Sequence, residues 1–151
     1  MQEINQQAIL QWWDIFKAQN PLVEIRLIGA NKTASGYFSD PYTMMREIAP
    51  YTQDMNAYWV MNGIKPECYG REQKDKIVLK PKNTTSDKGI LCRDWVLIDV
   101  DCNRVAGVNA TSKEAQYAYA KAAQVENFLL AQGFNRPVKV FSGSGIHLYL
   151  R

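Results

Sequence analysis

Residues 95–151 constrain the fold most, because three periodicities follow one another there without a break. Trp95 to Asp101 alternates as a strand does, with Val96, Ile98 and Val100 on one side and Trp95, Leu97, Asp99 and Asp101 on the other. Thr111-Ser112-Lys113-Glu114 has the spacing of a capping box, in which a hydroxyl and a carboxylate each satisfy a backbone N–H of the first helical turn. Ala115, Ala118, Ala122, Val125 and Leu129 then recur as the buried stripe of a helix of about twenty residues, which Gly133 ends. After Pro137 the chain reads as a strand over Val138-Lys139-Val140-Phe141 and as a turn over Ser142-Gly143-Ser144-Gly145. It alternates again to Arg151, with Ile146, Leu148 and Leu150 opposed to His147 and Tyr149. The order is strand, helix, strand, turn, strand.

The first eighty or so residues mix element types. Ile4, Ala8, Trp12, Ile15 and Phe16 predict an amphipathic helix over 3–19, stopped by Asn20-Pro21. Val23, Ile25 and Leu27 alternate with Glu24 and Arg26 as a half-buried strand. Asn31 to Gly36 is rich in turn formers, and Asp40-Pro41 supplies a cap and a first-turn proline for a helix over 41–49 that Pro50 ends. Ala57 to Met61 is a β-rich run closed by Asn62-Gly63, and Ile77-Val78-Leu79 is a short strand. Lys80 to Gly89 reads as a mobile loop inside a domain.

With 151 residues, 46% of them apolar, the chain holds enough core for one domain and too little for two independent ones. A net charge of +3 suits a protein that meets phosphate without indicating one. Cys68, Cys92 and Cys102 are widely spaced and form no Cys-x-x-Cys pair, which argues against a disulfide framework or a zinc site and for a reducing cytoplasm. No stretch approaches the roughly 20 apolar residues of a membrane span, and the start lacks a basic segment followed by an apolar one. A soluble cytoplasmic protein without a membrane partner is expected.

Asp99 and Asp101 lie on one strand face about 7 Å apart, close enough to share divalent cations, while the opposite face is wholly apolar. They end an apolar run, where a core strand emerges and like charges are costly unless a cation relieves them. Ser142-Gly143-Ser144-Gly145-Ile146-His147 sets a small-residue turn before a strand whose first outward side chain is the only histidine in the chain. Glycines let backbone approach a phosphate, hydroxyls donate to it, and a histidine on that side can hold a triphosphate oxygen. Each motif also has a plain reading, as a turn-capping triplet and as a flexible hairpin with a surface histidine.

Taken together, Arg93 to Asp101, the Thr111 to Glu114 helix start, Gly133-Phe134 and Ser142 to Tyr149 resemble the archaeo-eukaryotic primase superfamily. The match is to the primase–polymerase modules at the front of phage and plasmid primase–helicase proteins. Ser35-Gly36-Tyr37-Phe38, Asn62 and Thr85-Ser86-Asp87 are similar to that subfamily's upstream sequence, so the resemblance spans roughly residues 25–150. It implies an α/β (α+β) primase fold in which an N-terminal mixed unit precedes a sheet of RNA-recognition topology, the whole chain being the N-terminal part of one catalytic domain. By resemblance Asp99 and Asp101 bind Mg²⁺ or Mn²⁺. His147, Gly145, Ser142 and Ser144 meet the nucleotide phosphates, and catalysis rests on Asp99, Asp101 and His147. The implied function is priming and polymerisation in phage or mobile-element DNA replication, with nucleoside triphosphates and a single-stranded DNA template as partners. A helicase domain in the same chain is a further implied partner. The family also uses a third carboxylate downstream of the histidine strand, expected beyond Arg151.

Arg104 is a candidate for neutralising nucleotide phosphate, with a plain ion pair to the carboxylates as the alternative, and Arg93 is weighed in the same way. Lys80, Lys82 and Lys88 fit a solvated loop better than a template track, and Trp12, Trp13, Tyr58 and Trp59 fit a core better than base stacking. Three rival functions remain. One is a catalytically silent nucleotide- or single-strand-binding module of the same fold; the others are a metal-dependent nuclease and a sugar transferase, neither of which accounts for the Ser-Gly-Ser-Gly-Ile-His strand.

Overall fold

The computed structural model describes residues 5–105 and 108–151 and divides them at Arg93 into two compact units, each of mixed α and β structure. In the first, helix α1 (Gln6–Lys17) begins where the Asn5 side chain accepts from the Ala8 N–H, at 3.0 Å. It is shorter than its apolar periodicity suggested, and the predicted start with Ile4 lies outside the described residues. Trp13 and Phe16 are buried, and Lys17 is buried with them because its ammonium donates to the carbonyls of Val60, Met61 and Asn62 at 3.0, 3.1 and 3.4 Å.

Strands β1 (Val23–Ile28), β2 (Thr33–Phe38), β3 (Asn56–Trp59) and β5 (Val78–Leu79) form an antiparallel sheet of order β3-β1-β2-β5. Strand β4 (Gly63–Ile64) pairs separately with β6 (Ile90–Cys92). The turn expected over 31–36 is in fact mostly β2, and the chain reverses earlier, where the Gly29 N–H donates to the Lys32 carbonyl at 2.9 Å. Small residues occupy β2 because the space demands them. A Cβ on Gly36 would lie 2.5 Å from the Lys76 carbonyl oxygen and 2.9 Å from the Phe38 ring. Helix α2 (Pro41–Ile48) starts on Asp40, whose carboxylate accepts from the Thr43 N–H at 2.7 Å. Pro50 does not end it abruptly, since Ala49–Tyr51 continue as a 3-10 turn that accommodates a proline early.

Two further expectations for this unit are corrected by one cluster. The alternation of a half-buried strand puts Glu24 on its polar face, and composition makes Lys80 to Gly89 a mobile loop, yet Glu24 is fully buried and Thr85 nearly so. The Glu24 carboxylate accepts from Ser35 Oγ at 2.6 Å, Arg26 Nε at 3.1 Å and the Thr85 N–H at 2.9 Å. Arg26 also donates to the Thr85 carbonyl, and the Tyr37 hydroxyl lies 3.0 Å from Thr85 Oγ1. The loop is therefore pinned at its centre.

In the second unit β7 (Val96–Asp101), α3 (Ser112–Ala131), β8 (Val138–Phe141) and β9 (Gly145–Leu150) form a three-stranded sheet of order β7-β9-β8 with one helix against it. Strand β9 is antiparallel to both neighbours, so β7 and β8 run parallel and α3 is the crossover between them. The capping box forms as expected, and Gly133 at φ 87° ends the helix in a Schellman arrangement. Its N–H donates to the Leu130 carbonyl and that of Phe134 to Leu129, both at 3.0 Å. Val100, Ile146 and Leu148 pack with Ala122, flanked by Ile98 and Val125. Glu126 is buried in the helix stripe, held by Arg136 at 2.8 Å and Lys139 at 2.7 Å. Among the described residues no helix is long and apolar enough to cross a membrane.

Candidate functional site

Strand register brings the two chemical motifs of the second unit together. Asp99 lies opposite His147 and Asp101 opposite Gly145 in the antiparallel β7–β9 pair. Because Ile98, Val100, Ile146 and Leu148 belong to the core face against α3, alternation sends Asp99, Asp101, His147 and Tyr149 to the other face. Asp99 Oδ1 lies 3.4 Å from His147 Nε2, with the Asp99 side chain half exposed and that of His147 about a quarter exposed. Asp101 makes no ion pair with a described residue.

Gly145 is a requirement of this packing. A Cβ there would sit 2.5 Å from Asp101 Oδ1 and 2.6 Å from the Val100 carbonyl oxygen, so the Asp101 carboxylate rests directly on the glycine backbone. The turn before it is closed twice: Ser142 N–H donates to the Gly145 carbonyl at 3.0 Å, and Gly145 N–H donates to Ser142 Oγ at 3.1 Å. Gly143 takes φ 100°, which a side chain would oppose. Ser142 Oγ thus serves as an acceptor within the turn while its own O–H proton stays available to a ligand. The Ser144 carbonyl accepts from Cys102 Sγ at 3.4 Å, tying the end of β7 to the same turn.

Tyr149, which alternation placed on this face without assigning it a role, completes the row. Its hydroxyl lies 3.4 Å from His147 Nδ1, and the two rings meet edge to face with centroids 6.0 Å apart. Burial, and then the nearby Asp99 charge, push its phenol above the usual tyrosine range, so the hydroxyl keeps its proton.

The remaining candidates have other partners in the structure. Arg104 Nη1 donates to the Val108 carbonyl at 2.6 Å, and its charge helps hold the Glu114 carboxyl low, after the larger effects of the Thr111 N–H and hydroxyl. Arg93 pairs with Asp87 at 3.3 Å in the first unit, both side chains being well exposed. Trp13 is core and Trp12 and Trp59 pack against it, while Tyr58 is exposed. Lys82 lies in the pinned loop, its N–H donating to Glu72 at 3.2 Å.

Among the described residues no group of three or more His, Cys, Asp or Glu side chains is arranged to hold a metal ion. Two carboxylates on one strand face do not make a closed cage of the zinc or calcium kind. They match Mg²⁺ or Mn²⁺, which keep several waters and are bound through one or two carboxylates together with substrate phosphates. Asp99 and Asp101 are two carboxylates on one strand face, the number such a site uses. No protein-family model, no curated protein and no solved structure matches the chain.

Proposed function

We propose that this chain is part of the catalytic domain of a DNA primase–polymerase of the archaeo-eukaryotic type, which adds nucleotides from nucleoside triphosphates to a 3′-hydroxyl on a single-stranded DNA template. The observation that carries this reading is the register of β7 and β9. It sets two carboxylates, a glycine-rich turn and the only histidine of the chain on one sheet face, although the motifs are some forty residues apart in sequence. The β7-α3-β8 crossover with β9 inserted between its strands supports the reading, since it is the split arrangement expected of the RNA-recognition-like sheet.

In this reading Asp99 and Asp101 would hold Mg²⁺ or Mn²⁺, which would supply charge stabilisation for displacement of pyrophosphate and would lower the pKa of the attacking 3′-hydroxyl. His147 donates from Nε2 to a phosphate oxygen, and the Ser142 to Gly145 turn offers the Ser142 and Ser144 hydroxyls to the same phosphates. No covalent enzyme intermediate is required.

The second reading, a nucleotide-binding module without turnover, draws on the Asp99–His147 pair, which engages one metal-binding oxygen with the chain's own imidazole. Three measurements test them, and the last separates them. Mn²⁺ binding is expected to be lost when Asp99→Asn and Asp101→Asn are combined; equal binding by wild type and double variant defeats both readings of the carboxylates. Triphosphate binding is expected to weaken on His147→Ala with an unchanged circular dichroism spectrum. Finally, the full gene-encoded protein that carries this chain is expected to incorporate labelled nucleotides opposite a single-stranded template, and its Asp99→Asn, Asp101→Asn variant is not. Intact metal and triphosphate binding without incorporation by the full-length protein would establish the binding module instead.

A further inference from the structure

We propose that Tyr149 is a positioning residue that holds the His147 ring through Nδ1 with Nε2 facing outward; this rests on the proposed phosphate role of His147. The geometry comes from three neighbours on one face. Asp99 Oδ1 approaches Nε2 at 3.4 Å from one side of the ring, and the Tyr149 hydroxyl approaches Nδ1 at 3.4 Å from the other. Tyr149 is itself held between register partners, Leu97 on β7 and Val138 on β8, and is buried to 8% exposure, so its hydroxyl is not free to swing away.

The chemistry follows from the imidazole's two nitrogens. A neutral ring carries one proton, and the nitrogen without it is an acceptor. Were that acceptor Nε2, its lone pair would face the Asp99 carboxylate and, in the nucleotide complex, a phosphate oxygen, both anionic. The Asp99 carboxylate, which can only accept, removes this alternative by keeping the ring proton on Nε2, and the Tyr149 hydroxyl then donates to the Nδ1 lone pair. In a doubly protonated ring the roles at Nδ1 reverse, since the phenol oxygen can accept, and Nε2 is still a donor. Tyr149 thus bonds Nδ1 in either protonation state and restrains the ring's rotation, so that Nε2–H stays directed at Asp99 and the nucleotide. The two roles divide the ring: Asp99 and the phosphate share one nitrogen, Tyr149 the other.

Tyr149→Phe keeps the ring's shape and burial and deletes only the hydroxyl. Because His147 is the only histidine, its imidazole ¹⁵N spectrum is a single-site readout in the ligand-free protein. The expected result is a shift of the Nδ1 resonance toward that of an unbonded ring nitrogen in Tyr149→Phe. Triphosphate affinity should fall about two- to tenfold, the worth of one neutral hydrogen bond, with Mn²⁺ affinity unchanged. In the His147→Ala background the same substitution should cost nothing further, because Tyr149 acts only through the ring. An unchanged Nδ1 resonance overturns the proposal, and so does an affinity loss of equal size with and without His147. Should His147→Ala bind triphosphate as tightly as wild type, the phosphate reading fails by itself, and the Nδ1 resonance alone then decides whether Tyr149 positions the ring.

Discussion

At the scale of single residues, the site is set by what is absent from a side chain as much as by what is present. Gly145 lies under Asp101 where a methyl group would collide with a carboxylate oxygen and a backbone carbonyl; the carboxylate can turn aside, but the Val100 carbonyl, 2.6 Å from that methyl position, cannot move cheaply. Gly145→Ala is therefore expected to lower stability by about 1–3 kcal/mol. It should also weaken Mn²⁺ binding by displacing Asp101; urea unfolding with a parallel metal titration measures both. If stability falls and metal affinity does not, Asp101 is no ligand. Glu24 makes the opposite point, as a charge whose burial is tolerated only through its partners. Burial raises its pKa, but the hydrogen bonds from Arg26, Ser35 and Thr85 more than offset this and hold the carboxyl below its ordinary value of 4.5. The alternation of β1 was legible from Val23, Ile25 and Leu27. That Glu24 lies inside was not, because its partners come from residues 35 and 85, and a two-residue period carries no information about what covers a strand face.

At the scale of elements, legibility followed local chemistry. The α3 start was readable because a capping box is a contact between residues three apart, and both of its hydrogen bonds are present. The α2 start was readable for the same reason, from Asp40 and Pro41. Strand β2 is hidden in the sequence because Thr33, Ser35 and Gly36 are common turn formers, and what calls for glycine at 36, the Lys76 carbonyl brought beside it by the fold, has no local signature. The His147–Asp99 contact was half legible: each strand's alternation put its chemical residue outward, but only the register, which no sequence period reports, made them neighbours. Two expectations belong here. Thr111→Ala is expected to cost about 1 kcal/mol, since it removes the acceptor for the Glu114 N–H and a partner of the Glu114 carboxylate. Chemical denaturation followed by far-ultraviolet circular dichroism measures it, and a change within error would mean that α3 is held by packing alone. Glu24→Ala is expected to release the 80–89 loop, which carries the trypsin sites Lys82 and Lys88, so that limited trypsin digestion cuts there faster than in wild type. An unchanged cleavage rate would show that the loop does not depend on Glu24.

At the scale of the whole molecule, the titrating groups of both units bound stability from the two ends of the pH scale. In the first unit Glu24, Asp40 and Glu47 have lowered carboxyls. For Glu24 the partners outweigh the cost of burial; for Asp40 the main cause is the Thr43 N–H, and for Glu47 the Lys76 ammonium. In the second unit Glu114 is lowered chiefly by the Thr111 N–H and Glu126 chiefly by Lys139. A carboxyl with a folded pKa below its unfolded value binds fewer protons when folded. Its stabilisation is therefore complete above the unfolded value and is lost as pH falls below it toward the folded one. The ordinary values are 3.8 for Asp40 and 4.5 for the four glutamates, so the loss starts just above pH 4.5 and deepens below it, in both units at once. The alkaline side has the reverse sign. Burial raises Cys68 from 9.0 and Tyr37 and Tyr149 from 10.0, while the Asp75 hydrogen bond raises Tyr69 from 10.0. Each is kept protonated by the fold and ionises first in the unfolded chain, so its stabilisation holds below those values and is lost above them. The expected profile is a plateau from about pH 5 to 9 with a fall on either side. Urea midpoints across pH 3–11 measure it in a Trp95→Phe background, which removes the one tryptophan of the second unit, followed by tryptophan fluorescence for the Trp12, Trp13 and Trp59 cluster of the first unit and by circular dichroism at 222 nm for the helices, of which α3 is the longest. The Glu126→Gln variant provides the internal control, since it should flatten the acid limb seen by circular dichroism and leave the fluorescence limb unchanged. A midpoint that rises between pH 5 and pH 3 would contradict the ion-pair and hydrogen-bond assignments of all five carboxylates together.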